Sequence, residues 1–237
     1  MTVSIFVNPT QFGPGEDFDR YPRDLQADLA GLTGESVADA VFAPTVADMY
    51  PGGASPLTWV TVEKVSDTLC GARRPGHFRG VATVVAKLFA ACKPHAAIFG
   101  LKDAQQFFVL SRMVSDLNLD IRMVGMDTVR EPDGLALSSR NRYLGSEERA
   151  QAVVLSKSVF DARDRILAGD LDIPALEGSM RTLIGSAPLA RLDYAEIVTA
   201  DTLQPVEELR SGQTVLVAVA SFFGSARLID NRIVRVP

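Results

Sequence analysis

Short apolar runs alternate with helical segments through the first 125 residues, and this alternation restricts the fold more than any other feature. Runs typical of buried strands occupy residues 3–7, 38–43, 96–100 and 121–125, with a further short run at 59–62. Segments with helical periodicity lie between them at residues 24–32, 83–91 and 105–116. Because strands separated by helices usually pair in parallel, we predict an α/β fold with a doubly wound, Rossmann-like parallel sheet.

The pattern changes after a strong turn signal at residues 131–134. Beyond it the sequence predicts a long helix at 147–168 and a second helix at 173–184, followed by strands at 193–198, 214–220 and 226–236. Helices followed by strands in this order are typical of a small α+β domain. We therefore predict two domains, residues 1–130 and residues 131–237.

The composition favours a globular protein that binds a small molecule. A formal net charge of −5 argues weakly against binding to nucleic acid or to an acidic membrane, yet it allows a local basic pocket for an anion. Two histidines, and two cysteines without C-x-x-C spacing, argue against a zinc site or a disulfide framework. The start of the chain lacks a basic signal-peptide region, and the apolar stretch at 81–100 is interrupted by lysines and a proline. We therefore expect a cytoplasmic protein without a membrane span.

The stretch at residues 96–106 is the first candidate for function. A predicted strand ends at Gly100, Lys102 and Asp103 follow at once, and a predicted helix comes next. In α/β proteins ligands bind at the carboxyl end of a strand, where the next helix offers unpaired N–H groups that suit an anion. The alternative is a capping box formed by Asp103 and Gln106, which needs no ligand. The local pattern leaves both interpretations open.

Three further segments could contribute to a site. Ser138, Ser139 and Arg140 offer two hydroxyls and a guanidinium fork for a phosphate, although a polar loop between domains would have the same residues. Gln11 follows a predicted strand and could bind a hydroxyl or a carboxylate, although loop glutamines are commonly just solvated. Residues 73–80 form a basic turn, for which we favour a solvated or subunit-contact loop over a contribution to anion binding.

Several common motifs are absent from the sequence. It contains no G-x-G-x-x-G, no G-x-x-x-x-G-K-[ST], no H-E-x-x-H and no G-x-S-x-G. These absences lower the expectation of a dehydrogenase, a P-loop protein, a zinc peptidase or an α/β-hydrolase.

Taken together, these segments resemble the pantothenate synthetase family, the pantoate–β-alanine ligases. The resemblance runs in order along the chain, through VSIFVNPTQF at 3–12, YPR at 21–23, MYP at 49–51, RPGHFRGV at 74–81, FGLKDAQQ at 99–106, DGLALSSRN at 133–141 and ARLIDN at 226–231. It implies a nucleotidyltransferase-type α/β fold and an ATP-dependent, Mg²⁺-requiring ligase that acts as a homodimer. Pantoate would react with ATP to give pantoyl adenylate and pyrophosphate, and the amine of β-alanine would then displace AMP.

The resemblance also implies roles for residues at matching positions. Gln11 and Gln106 would hold the hydroxyls and the carboxylate of pantoate, and Val129 would contact the adenine. Lys102, Ser138 and Arg140 would be catalytic, with Lys102 offsetting charge on the phosphates in the transition state. The residues that would line ATP are Gly100, Leu101, Lys102, Asp103, Val129, Leu137, Ser138, Ser139 and Arg140. The resemblance gives no metal ligands, and Leu101 stands where family members commonly carry a polar or charged residue.

One departure from the family pattern is large. The family begins with a strand and a His-x-Gly-His signature that binds the ATP phosphates, whereas this sequence has no His-x-x-His and starts at the family's second strand. We expect that the missing segment reflects a late start or a fragment, with a natural truncated homologue as the alternative. Without it the chain would be weakly active or inactive, and neighbouring strand edges would lack a partner. A non-catalytic nucleotide- or pantoate-binding protein and a purely structural remnant are the other functional hypotheses.

Overall fold

The computed structural model describes residues 1–34, 37–56 and 58–237. Contacts group them into two compact units, the first made of Met1–Thr61 and Arg74–Lys93 and the second of Val62–Arg73 and Pro94–Pro237. These units do not test the predicted division between residues 130 and 131, which stays a prediction.

The helices and strands alternate in the first half of the chain, as predicted. The strands are β1 (Thr2–Ser4), β2 (Ala40–Phe42), β3 (Ala96–Gly100), β4 (Arg122–Met126), β5 (Ala190–Thr199), β6 (Thr214–Phe223) and β7 (Ala226–Arg235). The helices are α1 (Leu25–Gly34), α2 (Val46–Met49), α3 (Leu69–Arg73), α4 (His77–Cys92), α5 (Ala104–Asp116), α6 (Ser146–Ala152), α7 (Val154–Leu167) and α8 (Ile173–Gly185). Short 3₁₀ turns occupy Pro9–Gln11, Leu101–Asp103 and Ser139–Tyr143.

The pairs formed by the first four strands are parallel. In the first unit β1 pairs with β2, with Val3 opposite Val41. In the second unit β3 pairs with β4 along its whole length, from Ala96 opposite Arg122 to Gly100 opposite Met126. Helices connect the paired strands, as parallel pairing requires.

The carboxyl-terminal part of the second unit is built on an antiparallel sheet with the order β5–β6–β7. Helices α7 and α8 pack against this sheet and against each other. Their apolar faces form one core with the sheet, in which Ile166, Leu176, Ile184 and Val217 have no exposed surface. The predicted order of helices followed by strands is therefore confirmed, and burial of the helices' apolar faces explains it.

Four local predictions are wrong. Residues 59–62 form no strand in the described chain, since the amide of Val60 donates to the Thr83 hydroxyl (3.0 Å) rather than to a ladder. The expected loop at 44–56 contains α2, which begins with a capping box between Thr45 and Asp48. The basic turn at 73–80 is mostly helical, because α3 ends at Arg73 and α4 begins at His77. The helix at 147–168 is two helices, which meet at Val153, whose carbonyl also accepts from the Ser156 hydroxyl (2.9 Å).

No helix in the described ranges is both long enough and apolar enough to cross a membrane. The apolar stretch at 81–100 divides into the end of α4, a turn and β3, as its lysines and proline predicted.

Gly80 provides a test of how α4 is held against the amino-terminal turn of the first unit. A Cβ at this position would lie 2.4 Å from the Thr10 carbonyl oxygen, and the Gly80 carbonyl itself accepts from the Asn8 side-chain amide (3.2 Å). Because backbone rather than a flexible side chain blocks the space, we expect Gly80→Ala to lower the free energy of unfolding by about 1–3 kcal/mol. Urea denaturation measures this change.

Gly31 is the matched control, because it lies in α1 and a Cβ there would meet nothing within 4 Å. Gly31→Ala should leave the free energy of unfolding unchanged or raise it by about 0.5–1 kcal/mol, as in other exposed helix interiors. Equal effects of the two substitutions would show that the close approach at Gly80 contributes nothing.

Candidate active site

The turn that carries Lys102 joins β3 directly to α5. The strand ends at Gly100, Leu101–Asp103 form one 3₁₀ turn, and α5 begins at Ala104. Asp103 occupies the N-cap position with φ −96° and ψ 60°, and its side chain makes no capping hydrogen bond within the described chain. The capping box considered for Asp103 and Gln106 therefore does not form, because a capping side chain needs an extended backbone to reach back to the helix. The Asp103 carboxylate is exposed instead.

Lys102 and Ser138 meet in the structure. The Lys102 ammonium donates to the Ser138 hydroxyl oxygen (3.4 Å), although the two residues are 36 positions apart. The same oxygen accepts from the backbone amide of Arg140 (3.2 Å), because Ser138 is the N-cap of the 3₁₀ turn Ser139–Tyr143. An ammonium and a backbone N–H thus converge on one position, an arrangement that suits an anionic oxygen.

Val129 and Leu137 lie beside each other ahead of this turn. The amide of Leu137 donates to the Val129 carbonyl (2.9 Å), and Arg130 and Ala136 form an antiparallel bridge next to that bond. Both apolar side chains remain exposed, with relative accessibilities of 67% for Val129 and 56% for Leu137. Two exposed apolar side chains next to the Ser139–Tyr143 turn form a surface on which a flat ring can pack.

Gln105 is a buried polar residue in the first turn of α5, and the sequence analysis gave it no role. It is 6% exposed, and its amide oxygen accepts from the amide of Cys70 (3.0 Å). Its amide nitrogen donates to the carbonyls of Val65 (3.1 Å) and Thr68 (2.8 Å). Gln105 therefore ties residues 65–70 to the first turn of α5, and the half-buried Gln106 follows it on that turn. A signal existed in the sequence, since a glutamine facing the apolar side of a helix needs buried partners.

Gln11 belongs to the first unit, where it ends the 3₁₀ turn Pro9–Gln11. Its side-chain oxygen accepts from the amide of Asn8 (3.1 Å), and Asn8 is 2% exposed. The Asn8 oxygen in turn accepts from the hydroxyls of Thr10 (2.9 Å) and Tyr50 (2.8 Å). Burial raises the pKa of Tyr50 despite its hydrogen bond with Thr10, so the phenol stays a neutral donor. The turn that presents Gln11 is thus held by a buried polar network.

The imidazole of His77 contacts the backbone of the turn that ends at Gln11. Its Nδ1 lies 2.8 Å from the Gln11 carbonyl oxygen, which only accepts, so Nδ1 carries the proton. Its Nε2 lies 3.1 Å from the Arg74 guanidinium, which only donates, so Nε2 accepts. Arg74 is also paired with Glu16 (2.6 Å), and its charge is thereby offset inside the first unit.

Known proteins resemble this chain over its whole length. A model of the pantoate–β-alanine ligase family matches residues 1–233. The chain belongs to this family. The pantothenate synthetase of Salinibacter ruber is 57% identical over 242 aligned positions, which cover 100% of this chain and 82% of the relative. That of Thermosipho africanus is 55% identical, with 98% of this chain and 81% of the relative covered.

Solved structures of the family agree with the fold. The pantothenate synthetase of Thermus thermophilus matches with a TM-score of 0.90 and 46% identity, over 98% of this chain and 82% of that one. A pantoate–β-alanine ligase from Francisella tularensis, crystallised with β-γ ATP and β-alanine, matches with a TM-score of 0.75 and 32% identity, over 98% and 78%. The family resemblance and the predicted α/β fold with a smaller α+β part are confirmed.

Glu16 gives the first unit a predictable sensitivity to acid. Burial raises the pKa of Glu16, but the hydrogen bond and the charge of Arg74 outweigh it, so that the net pKa is lowered from 4.5. A depressed carboxylate pKa stabilises the fold above the unfolded value and loses that contribution as the pH falls through the folded value. We expect Glu16→Gln to lower the free energy of unfolding at about pH 7 and to make progressively less difference as the pH falls below 4.5, as measured by urea denaturation.

Asp19→Asn is the control for this prediction, because Asp19 is an exposed acid near Glu16 in the same unit. It should leave the pH dependence of stability as it is. If Glu16→Gln and Asp19→Asn gave the same pH profile, the Glu16–Arg74 pair would have no role in stability.

Proposed function

We propose that this protein condenses pantoate with β-alanine to form pantothenate, using ATP and releasing AMP and pyrophosphate. The observation that carries the proposal is the convergence of the Lys102 ammonium and the Arg140 amide on the Ser138 hydroxyl. The family membership and the Francisella relative crystallised with β-γ ATP and β-alanine support ATP and β-alanine as substrates.

The reaction has two steps in this proposal. In the first, a pantoate carboxylate oxygen bonds to the α-phosphorus of ATP, and the bond to the bridging oxygen breaks to release pyrophosphate. In the second, the β-alanine amine bonds to the acyl carbon of pantoyl adenylate, AMP leaves with the electrons of the acyl–oxygen bond, and the amine loses a proton. Lys102, Ser138 and Arg140 are the proposed catalytic residues, because negative charge develops on the phosphate oxygens in the first step.

The binding roles of the other residues are proposed by analogy with the family. We assign Gln11 and Gln106 to pantoate, since each amide can donate to and accept from hydroxyl and carboxylate groups. ATP would contact Gly100, Leu101, Asp103 and Ser139 in addition to the catalytic residues, with its adenine on Val129 and Leu137. Residues 131–237 would then act as a lid domain that brings the Ser138 turn to the phosphates.

Mg²⁺ enters the proposal as part of the MgATP substrate. This ion binds mainly through substrate phosphates, retained waters and one or two carboxylates, and the exposed Asp103 beside Lys102 provides a carboxylate of this kind. When bound, Mg²⁺ would neutralise part of the phosphate charge. A homodimer and a cytoplasmic location complete the proposal, both by analogy with the family.

Lys102→Ala tests the function and the role of the lysine together. In a protein extended by an upstream His-x-Gly-His segment, we expect pantoate-dependent ATP–pyrophosphate exchange to fall by about 10²–10³-fold, as when one donor to a developing oxyanion is removed. ATP affinity, measured by calorimetry, should fall as well. Lys157→Ala is the control, because Lys157 is exposed on α7. Unchanged exchange in Lys102→Ala would remove Lys102 from the mechanism, whereas tight ATP binding without any pantoyl adenylate would favour a binding protein over a ligase.

A second prediction concerns the family's His-x-Gly-His segment. The chain covers 82% of the Salinibacter relative, and its two histidines are not part of any His-x-x-His. We propose that the 237 residues alone give low ATP–pyrophosphate exchange activity and that adding an upstream segment with His-x-Gly-His raises this activity.

The control for this experiment is the same segment with both histidines replaced by alanine. It should not raise the ATP–pyrophosphate exchange activity. Robust exchange by the 237-residue chain without any added segment would contradict the proposal.

A further inference from the structure

Asn231 binds the backbone of the turn that carries Lys102. Its side-chain amide nitrogen donates to the carbonyls of Leu101 (3.0 Å) and Lys102 (2.8 Å), 130 and 129 positions away in the sequence. The nitrogen has two hydrogens, so both are used. Asn231 lies on β7 opposite Ala218 and is 7% exposed, which means that water does not compete for these bonds.

The preceding residue holds the loop that leads to Ser138. Asp230 is 2% exposed, and its two carboxylate oxygens accept from the two terminal nitrogens of Arg130 (2.7 and 2.8 Å). Arg130 also donates to the carbonyl of Gly134 (2.9 Å), across the loop between Val129 and Leu137. A buried, two-pronged ion pair of this kind fixes both the distance and the orientation of its partners.

Asp230 and Asn231 together connect the two halves of the candidate phosphate site. Neighbouring side chains on a strand face opposite sides. Here Asn231 binds the Lys102 turn, and Asp230 binds Arg130 at the base of the Ser138 loop. The backbone amide of Asn231 also donates to the Asp230 carboxylate (2.7 Å), so the strand itself connects the two sets of contacts. The hydrogen bond from Lys102 to Ser138 (3.4 Å) then joins the turn and the loop directly.

We propose that Asn231 is a positioning residue for Lys102 and that the Asp230–Arg130 pair positions Ser138. The catalytic part of this inference rests on the proposed function. Phosphoryl chemistry depends on cations held in place before the substrate arrives, and a displacement of about 1 Å can cost about 10²-fold in rate. A lysine on an unbraced 3₁₀ turn would not be held in this way.

Asn231→Asp is the sharpest test, since it conserves shape but replaces the two-proton donor with a carboxylate facing two carbonyl oxygens. We expect faster amide hydrogen exchange across residues 100–106, measured by mass spectrometry, and ATP binding weakened by about 10–100-fold by calorimetry. Asn118→Asp is the matched control, because Asn118 is exposed after α5. It should change neither measurement. Asn231→Ala removes the donor without adding repulsion and should show the same two effects more weakly. This variant replaces Asn231→Asp in the test if Asn231→Asp does not fold.

A double mutant separates positioning from a merely structural role. If Asn231 acts through Lys102, adding Asn231→Asp to Lys102→Ala should weaken ATP binding no further. If the two losses simply multiplied, or if neither Asn231 variant changed hydrogen exchange at 100–106, the inference would be overturned. Failure of the proposed function looks different, because the protein would then form no pantoyl adenylate even when the upstream His-x-Gly-His segment is added. Amide hydrogen exchange at residues 100–106 would still test whether Asn231 holds the Lys102 turn.

Discussion

The parallel register of β3 and β4 is the constraint on which the candidate site depends. Gly100 lies opposite Met126, so the two strands end at the same level. The turn with Lys102 and the loop with Val129 therefore leave the sheet from one edge. Gly125 permits the turn to lie close to β4, since a Cβ there would come 2.7 Å from a methyl carbon of Leu101. A side chain at that position would require the Leu101 side chain to move.

The loop that follows Val129 is held more firmly at its base than at its tip. The base is the buried pair of Arg130 with Asp230 (2.7 Å). At the tip Arg149 binds Glu131 (2.6 Å) and Asp133 (2.7 Å), and its hydrogen bonds lower the pKa of both carboxyl groups. Pairs nearer the solvent contribute little to stability and are screened by salt. A firm base with a looser tip would hold Ser138 in place while leaving the loop room to accommodate a nucleotide.

The strand and the helix on either side of Lys102 were predictable to within one residue. The helix expected at 105–116 is Ala104–Asp116, and the strand expected at 96–100 is Ala96–Gly100. The helix buries an apolar face along its length, so the periodicity of the sequence reports it directly. The short elements were not predictable. Helix α3 has five residues and was missed, and residues 59–62 are apolar but find no strand partner in the described chain. In such short segments tertiary contacts outweigh local preference.

The sequence by itself determined the family, the strand–turn–helix around Lys102 and the identity of the charged and hydroxyl groups available to an anion. Those properties depend on the order of residue types along a few neighbouring positions. Only the tertiary structure decided that Asp103 does not cap its helix, that Lys102 meets Ser138, and that Gln105 and Asn231 hold the backbone on either side of the site. The physical reason is that these hydrogen bonds join residues 35 to 130 positions apart. Local periodicity does not predict such partners, because only the packing of strands and helices brings them within hydrogen-bond distance.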